Sequence, residues 1–280
     1  GEHTPEIVSQ EISWFLPRLV HGGLLIIDDI ENIENSKNAL LEDILSHSVI
    51  KGNRSFYRKE CTYSTKNLVF TIAVGQDYQR LASVTHPTLR AYAKRIGSDF
   101  LSINEQTQAQ TTPHWEKFQI YDLLKTYPRI LYIDTDIIIR DDCPNLFDIV
   151  PAEKLGMFNE APFTYRSREL LIDCCKAYGI TLPCWDGRYF NSGVMVVSQV
   201  HSELFRKPIN EYFNFYEQTY INMRIVQLGY PVHELPYRMN RMTCVDSLTG
   251  EHRLASYVVH YAGAPNTEII IDLTKRDRKT

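Results

Sequence analysis

Residues 129–139 read RILYIDTDIII, an apolar run that two aspartates interrupt. Its β-branched residues predict a buried strand, in which residues i and i+2 point to the same side. Asp134 and Asp136 would therefore present two carboxylates to one place. Such oxygen ligands suit Mg²⁺ or Mn²⁺, ions that complete their shells with substrate phosphates. The stretch predicts a metal-bound diphosphate at a strand end, although an Asp-x-Asp triplet also occurs by chance as a turn or a solvated cap.

Strands and helices alternate on both sides of this run. Apolar spacing predicts strands at 68–74, 99–103 and 130–134, and helices at 81–95 and 115–126. This alternation predicts an α/β fold with a mostly parallel central sheet and helices on both faces. Farther along, the same criteria predict strands at 155–158, 193–197 and 257–260, the last followed by a glycine turn at 261–263, and helices at 169–178 and 199–220.

The N-terminal 50 residues form a separate small α/β fragment in this interpretation. A helix at 5–19, a strand at 24–27 and a helix at 36–48 are predicted there. The polar stretch that follows has no clear periodicity and is interpreted as a linker. The expected division is a fragment at 1–50, a linker at 51–67, a main domain at 68–265 and a solvated C-terminal tail at 266–280.

Composition excludes several classes of protein. The chain has 280 residues, 44% of them hydrophobic, and a net charge of -4, so we expect a folded protein that does not bind nucleic acid. No apolar run approaches the roughly 20 residues of a transmembrane segment. The six cysteines lack zinc-ligand spacing, which favours free thiols in a reducing, cytoplasmic setting. A chain that begins at Gly1 favours a piece of a longer, multidomain polypeptide.

Five blocks of sequence carry a resemblance to a known family. They are Thr71–Gly75 with Tyr78, then Lys117, then YIDTD at 132–136, YFNSGVM at 189–195 and VHYAG at 259–263. With these blocks, residues 68–265 resemble nucleotide-sugar glycosyltransferases of the GT-A fold, and glycosyltransferase family 8 most closely. The chain has Glu217-Gln218 where that family usually has Asp-Gln. It has Ala264-Pro265-Asn266 where the family has its Lys and Trp.

The resemblance implies an activity and a metal site. It implies transfer of a sugar from a nucleoside diphosphate donor, expected to be a UDP-sugar, to a hydroxyl of a glycan or another acceptor, with retention at the anomeric carbon. It also implies that His260 joins Asp134 and Asp136 as ligands of Mn²⁺ or Mg²⁺. A structural histidine at a strand end is the alternative for His260. The other eight histidines, His114 among them, have no comparable setting in the sequence.

The remaining site predictions follow from the same blocks. The predicted donor-binding residues are Ala73, Val74, Gly75, Tyr78, Lys117, Asp134, Thr135 and Gly263. The predicted catalytic residues are Asn191 and Gln218, which would orient the sugar, and Glu217, the nearby carboxylate to test. Each has a plainer alternative: a strand-to-helix turn for 73–75, a solvated helix face for Lys117 and a turn for Asn191.

A weaker resemblance covers residues 1–50, where GGLLIIDDI at 22–30 and the preceding helix resemble the later part of a class I S-adenosylmethionine-dependent methyltransferase. The cofactor-binding half is missing, so this segment is interpreted as the end of an upstream domain. An unrelated α/β appendage is the alternative. For the whole chain, a sugar-1-phosphate nucleotidyltransferase and a non-catalytic carbohydrate-binding module are the competing functions, and a methyltransferase would need the missing half.

Overall fold

The computed structural model describes residues 8, 24–28, 48–51, 54–58, 64–107, 112–164, 168–181, 184–208 and 217–278. The chain divides into two compact units, Gly1–Tyr63 and Ser64–Thr280.

The first unit contains an antiparallel sheet in the order β1-β3-β2, formed by β1 (Leu24–Asp28), β2 (Ser48–Lys51) and β3 (Arg54–Arg58). The first strand confirms the prediction at 24–27. The other two correct the linker prediction, because β2 and β3 pair in antiparallel fashion with Lys51 opposite Arg54, which the polar composition concealed. Apart from Val8, which is helical, the predicted helix at 5–19 lies outside the described residues. Residues 36–47 of the second predicted helix also lie outside them.

The second unit is built on a six-stranded sheet in the order β10-β8-β9-β6-β4-β5. Its strands pair in parallel except β9, which runs antiparallel to both of its neighbours. The α/β prediction with a mostly parallel sheet is confirmed. The strands are β4 (Leu68–Ile72), β5 (Asp99–Ile103), β6 (Arg129–Ile133), β8 (Leu155–Asn159), β9 (Phe190–Ser198) and β10 (Val232–Glu234).

Both faces of this sheet are buried, because successive strand residues point to opposite sides. Phe70 and Tyr132 pack on one face against an aromatic cluster that includes Trp115, while Val69 and Leu131 pack on the other. The α-helices are α1 (Gln76–Arg95), α2 (Ile120–Leu123), α3 (Leu146–Ile149), α4 (Arg168–Tyr178), α5 (Glu217–Leu228), α6 (Asp246–Thr249) and α7 (Thr267–Asp277).

Two predicted helices contain a 3₁₀ helix in the structure. Residues Pro113–Gln119 form a 3₁₀ helix that continues into α2, and its three-residue period lets Trp115 and Phe118 share one buried face. A second 3₁₀ helix, Gln199–Phe205, occupies the start of the segment predicted as a helix at 199–220. Pro208 follows it and disfavours a continuous helix. Residues 209–216 lie outside the described residues, and the last part of the segment, 217–220, belongs to α5.

The C-terminal segment is a helix rather than the predicted solvated tail. In α7, Ile270 and Ile271 pack against a cluster that includes Val259 and Tyr261. Asp277 is buried and accepts hydrogen bonds from the Arg253 guanidinium (2.7 and 2.9 Å) and the Tyr261 hydroxyl (2.8 Å). The dense charges at its end hid the amphipathic period in the sequence.

A small sheet places the end of the chain beside the aspartates. It has the order β11-β12-β7, from β7 (Ile137–Ile139), β11 (Arg241–Met242) and β12 (Val258–His260). His260 pairs with Ile137, directly after the Asp-Thr-Asp triplet. Within the described ranges, no helix is long and apolar enough to cross a membrane.

Candidate active site

Asp134, Asp136 and His260 converge at the carboxyl end of β6. Each offers one ligand atom, and these atoms lie within 4.8 Å of one another. The Nε2 atom of His260 lies 3.3 Å from Oδ1 of Asp136. The turn is anchored on both sides, because the Asp134 N–H donates to the Gly193 carbonyl (2.8 Å) and the Tyr261 N–H donates to the Asp136 carbonyl (2.9 Å).

The absence of a side chain at Gly193 makes room for this set. A Cβ atom there would lie 2.5 Å from Cε1 of His260 and 2.8 Å from Oδ2 of Asp134. The pairing of β9 with β8 is irregular at this point, since Met157 pairs with Met195 whereas Phe158 pairs with Asn191. The irregularity leaves residues 192–194 without a partner in β8, while Val194 still pairs with Ile133 of β6. Two carboxylates and one imidazole around a space that a methyl group would fill fit a divalent cation such as Mn²⁺.

The charges of this set depend on one another. Burial would lower the pKa of His260, but the facing carboxylates of Asp136 and Asp134 raise it above the ordinary value. Burial would raise the pKa of Asp134, but Lys117, His260 and the Tyr132 hydroxyl lower it. Both shifts act in the direction of an imidazolium that faces two carboxylates, whose positive charge a divalent cation would replace.

Lys117 is buried beside the three candidate metal ligands, which contradicts the alternative that it lies on a solvated helix face. Its Nζ atom lies 3.2 Å from Oδ1 of Asp134 and 2.6 Å from Oε1 of Glu217, and it donates to the Ser192 hydroxyl (3.0 Å). Burial would lower the pKa of Lys117, but the two carboxylates raise it. Glu217, predicted as the carboxylate to test, is itself buried and engaged by this ammonium group.

Asn191 and Gln218 both bind Glu160, a buried carboxylate that the sequence analysis did not identify. The Asn191 amide nitrogen donates to Oε2 of Glu160 and the Gln218 amide nitrogen donates to Oε1, both at 2.9 Å. The Gln218 carbonyl oxygen accepts from the Ser192 N–H (2.9 Å). Glu160 follows β8 directly, so its position at a strand end was the one available signal.

A cavity of about 370 Å³ opens next to the aspartates. Four of the predicted donor-binding residues line it together with Asp136: Val74, Tyr78, Asp134 and Thr135. Tyr78 is 44% exposed, so one side of its ring is accessible to a planar ligand. His114 also lines this cavity, although its sequence context showed no such setting.

Other predicted donor residues contribute backbone or support. The Thr135 hydroxyl donates to the Ile72 carbonyl, and its oxygen lies 3.4 Å from Nε2 of His86. Ala73 is buried, and its N–H donates to the Ile103 carbonyl. Gly75 and Gly263 have φ values of 93° and 79°, which favour glycine, and Gly263 packs against Cys244.

Comparison with known proteins identifies a family for this chain. The sequence model described as glycosyl transferase family 8 matches residues 47–223. The match ends before His260 and Gly263. No curated protein sequence matches the chain.

Among solved structures, one similar protein is a glycosyltransferase involved in glycosylation of the major capsid of PBCV-1, with 17% identity, a TM-score of 0.52, and coverage of 75% of this chain and 99% of that chain. Another is the WbbM bifunctional glycosyltransferase in its apo form, with 15% identity and a TM-score of 0.53. The match covers 81% of this chain and 55% of that chain. These likenesses show that the chain contains the fold of GT-A glycosyltransferases.

Proposed function

Because this chain belongs to glycosyl transferase family 8 and is therefore a glycosyltransferase, we propose that it transfers a sugar from a UDP-sugar to a hydroxyl group of a glycan or another acceptor, with Mn²⁺ as its metal. The observation that carries the proposal is the convergence of Asp134, Asp136 and His260 beside an open cavity. A divalent cation held there would stabilise the negative charge that gathers on the departing diphosphate.

The cavity is proposed to receive the nucleotide. Tyr78 would stack on the uracil ring, and the backbone at 73–75 would approach the base or ribose, where β4 ends and α1 begins. Its lining includes Asp134 and Asp136. A nucleotide bound there would therefore direct its diphosphate toward the three metal ligands.

The cluster of Asn191, Gln218 and Glu160 is proposed to orient the donor sugar. Its carboxylate is held by two amides, so it is an acceptor fixed in direction. The Asn191 carbonyl oxygen already accepts from the Gly193 N–H (2.9 Å), so Asn191 would offer a sugar hydroxyl its remaining amide hydrogen. A site built from fixed polar groups discriminates between sugars because an unmatched group would remain buried without a partner.

We propose a supporting role for Lys117 and Glu217. The ammonium of Lys117 lies between Asp134 and Glu217 and holds the Asp134 carboxylate in place. Glu217 offsets that buried charge, which disfavours it as a nucleophile toward the sugar. Retention at the anomeric carbon is part of the proposal, with departure of the diphosphate and attack of the acceptor on one face of the sugar.

The Asp136→Asn substitution tests this function. We expect it to abolish Mn²⁺-dependent release of UDP from UDP-sugars, because the metal loses a charged ligand beside a charged diphosphate. Binding should be measured by thermal shift with UDP-glucose, UDP-galactose and UDP-N-acetylglucosamine, each with and without Mn²⁺, since a ligand of the folded state raises its apparent stability. His260→Ala should weaken Mn²⁺ dependence more mildly, because water can replace one neutral ligand.

Asp142→Asn is the matched control, since this carboxylate is 65% exposed and pairs only with Arg140 among the described residues. It should keep wild-type turnover. Wild-type turnover in Asp136→Asn would contradict the metal assignment. Release of pyrophosphate instead of UDP would favour a nucleotidyltransferase, and glycan binding independent of both nucleotide and Mn²⁺ would favour a carbohydrate-binding module.

A further inference from the structure

Asn240 lies at the centre of a buried chain of hydrogen bonds. The chain joins the metal ligand His260 to the cluster of Asn191, Gln218 and Glu160, which is called the sugar-facing cluster below. It has no exposed surface. Its amide nitrogen donates to Oδ1 of Asn191 (2.8 Å), and its Oδ1 atom contacts Nδ1 of His260 (2.9 Å). Asn191 in turn donates to Glu160, so a continuous path of polar contacts joins His260 to Glu160.

One backbone group determines the direction of every hydrogen bond in this path. The Gly193 N–H can only donate, and it faces Oδ1 of Asn191 at 2.9 Å. That atom of Asn191 is therefore the carbonyl oxygen, and the group of Asn240 that faces it must be the amide nitrogen. The other end of the Asn240 amide is then the carbonyl oxygen, which accepts a hydrogen bond from the Nδ1–H group of His260.

The consequence for His260 is a defined tautomer. With Nδ1 donating to Asn240, the lone pair of a neutral imidazole lies on Nε2, the atom that faces Asp136. A ligating histidine generally has its other nitrogen fixed in this way. Asn240 is positioned for this by the fold, because it immediately precedes β11, which pairs in parallel with the strand that carries His260.

We propose that Asn240 is a positioning residue that couples metal binding at His260 to sugar recognition at Asn191. This inference rests on the proposed function. Because one amide orients both groups, a displacement at either end moves the other, so the two binding events assist each other by the same factor in both directions.

Two substitutions separate the ends of the path. Asn240→Asp has the same shape and keeps an oxygen that accepts from His260, but it places a second oxygen against Oδ1 of Asn191. We expect its affinity for Mn²⁺ to stay within about threefold of wild type, while its preference for UDP-sugars over UDP falls about tenfold. Asn240→Leu removes both contacts, so its Mn²⁺ affinity should also fall, by about 10- to 100-fold.

Calorimetry on the full chain with Mn²⁺ alone, UDP and the three UDP-sugars measures these changes without relying on turnover. Asn145→Asp is the control for added negative charge, because Asn145 caps α3 away from the site and aspartate caps equally well. It should leave all affinities unchanged.

Each substitution tests the role of Asn240 by itself, so the test does not depend on Asn240→Leu remaining folded. Wild-type sugar preference in Asn240→Asp, or wild-type Mn²⁺ affinity in a folded Asn240→Leu, would overturn the role of Asn240 and leave the proposed function standing. Failure of the wild-type chain to bind Mn²⁺ with UDP would overturn both.

Discussion

At the scale of single residues, burial rather than residue type determines what the charged groups of this site can do. Lys117 lies between Glu116 and Phe118 in a polar segment, yet only 2% of its surface is exposed. An ammonium group at that depth requires partners, and Asp134 and Glu217 supply them. Removing one member of such a group is costly because the others remain buried without compensation.

We therefore expect Lys117→Met to lower the free energy of unfolding by about 3–5 kcal/mol, as judged by urea denaturation. The double substitution Lys117→Met with Glu217→Gln should recover part of this loss, because it also removes the carboxylate left unpaired. Lys125→Met is the matched control: its pair with Asp122 is exposed and should contribute less than about 1 kcal/mol. Equal effects of the two single substitutions would contradict a stabilising role for the buried pair.

At the scale of elements, β9 serves both the core and the site. Its alternating residues pack on the two faces of the sheet. Its first half, residues 190–193, provides Asn191 and also Gly193, where His260 and Asp134 lie too close for a side chain. The strand can do both because its pairing with β8 is irregular beyond Met157. The antiparallel direction of β9 places this half at the carboxyl end of β6, beside Asp134.

Gly193→Ala should consequently reduce Mn²⁺ affinity by tenfold or more, as measured by calorimetry, because the added methyl group would displace His260 or Asp134. The neighbouring Val194→Ala is the control for a perturbed strand, since Val194 packs in the core on the other face. It should lower stability by about 2 kcal/mol and keep Mn²⁺ affinity. Mn²⁺ binding by Gly193→Ala equal to that of wild type would show that the ligands do not need this space.

At the scale of the whole molecule, the chain consists of two compact units with different relations to the proposed function. Every residue proposed to bind donor or metal lies in Ser64–Thr280. The family match nevertheless begins at residue 47, within the first unit. The methyltransferase resemblance of residues 1–50 remains a prediction that none of the comparisons supports, and most of that segment lies outside the described residues.

A chain that begins at Ser64 should keep Mn²⁺-dependent UDP binding, because it contains the complete second unit with its own core. The full chain should show no binding of S-adenosylmethionine by calorimetry, because no glycine-rich loop for a nucleotide cofactor precedes the strand at 24–28. Loss of UDP binding from a well-folded shortened chain, or micromolar binding of S-adenosylmethionine by the full chain, would contradict this division.

The sequence by itself determined the alternating strands and helices, the strand that ends at the Asp-Thr-Asp triplet, and the blocks that resemble the family. These features are local, because strand and helix periods and i, i+2 spacing are set by neighbouring residues. The same local criteria missed α7, whose apolar face is interrupted by charges, and the hairpin of β2 and β3. Only the tertiary structure decided that Lys117 is buried, that Glu160 binds Asn191 and Gln218, and that Asn240 links Asn191 to His260. Those contacts join residues 31 to 100 positions apart in most cases, and a hydrogen bond across such a distance leaves no periodic signal in the chain.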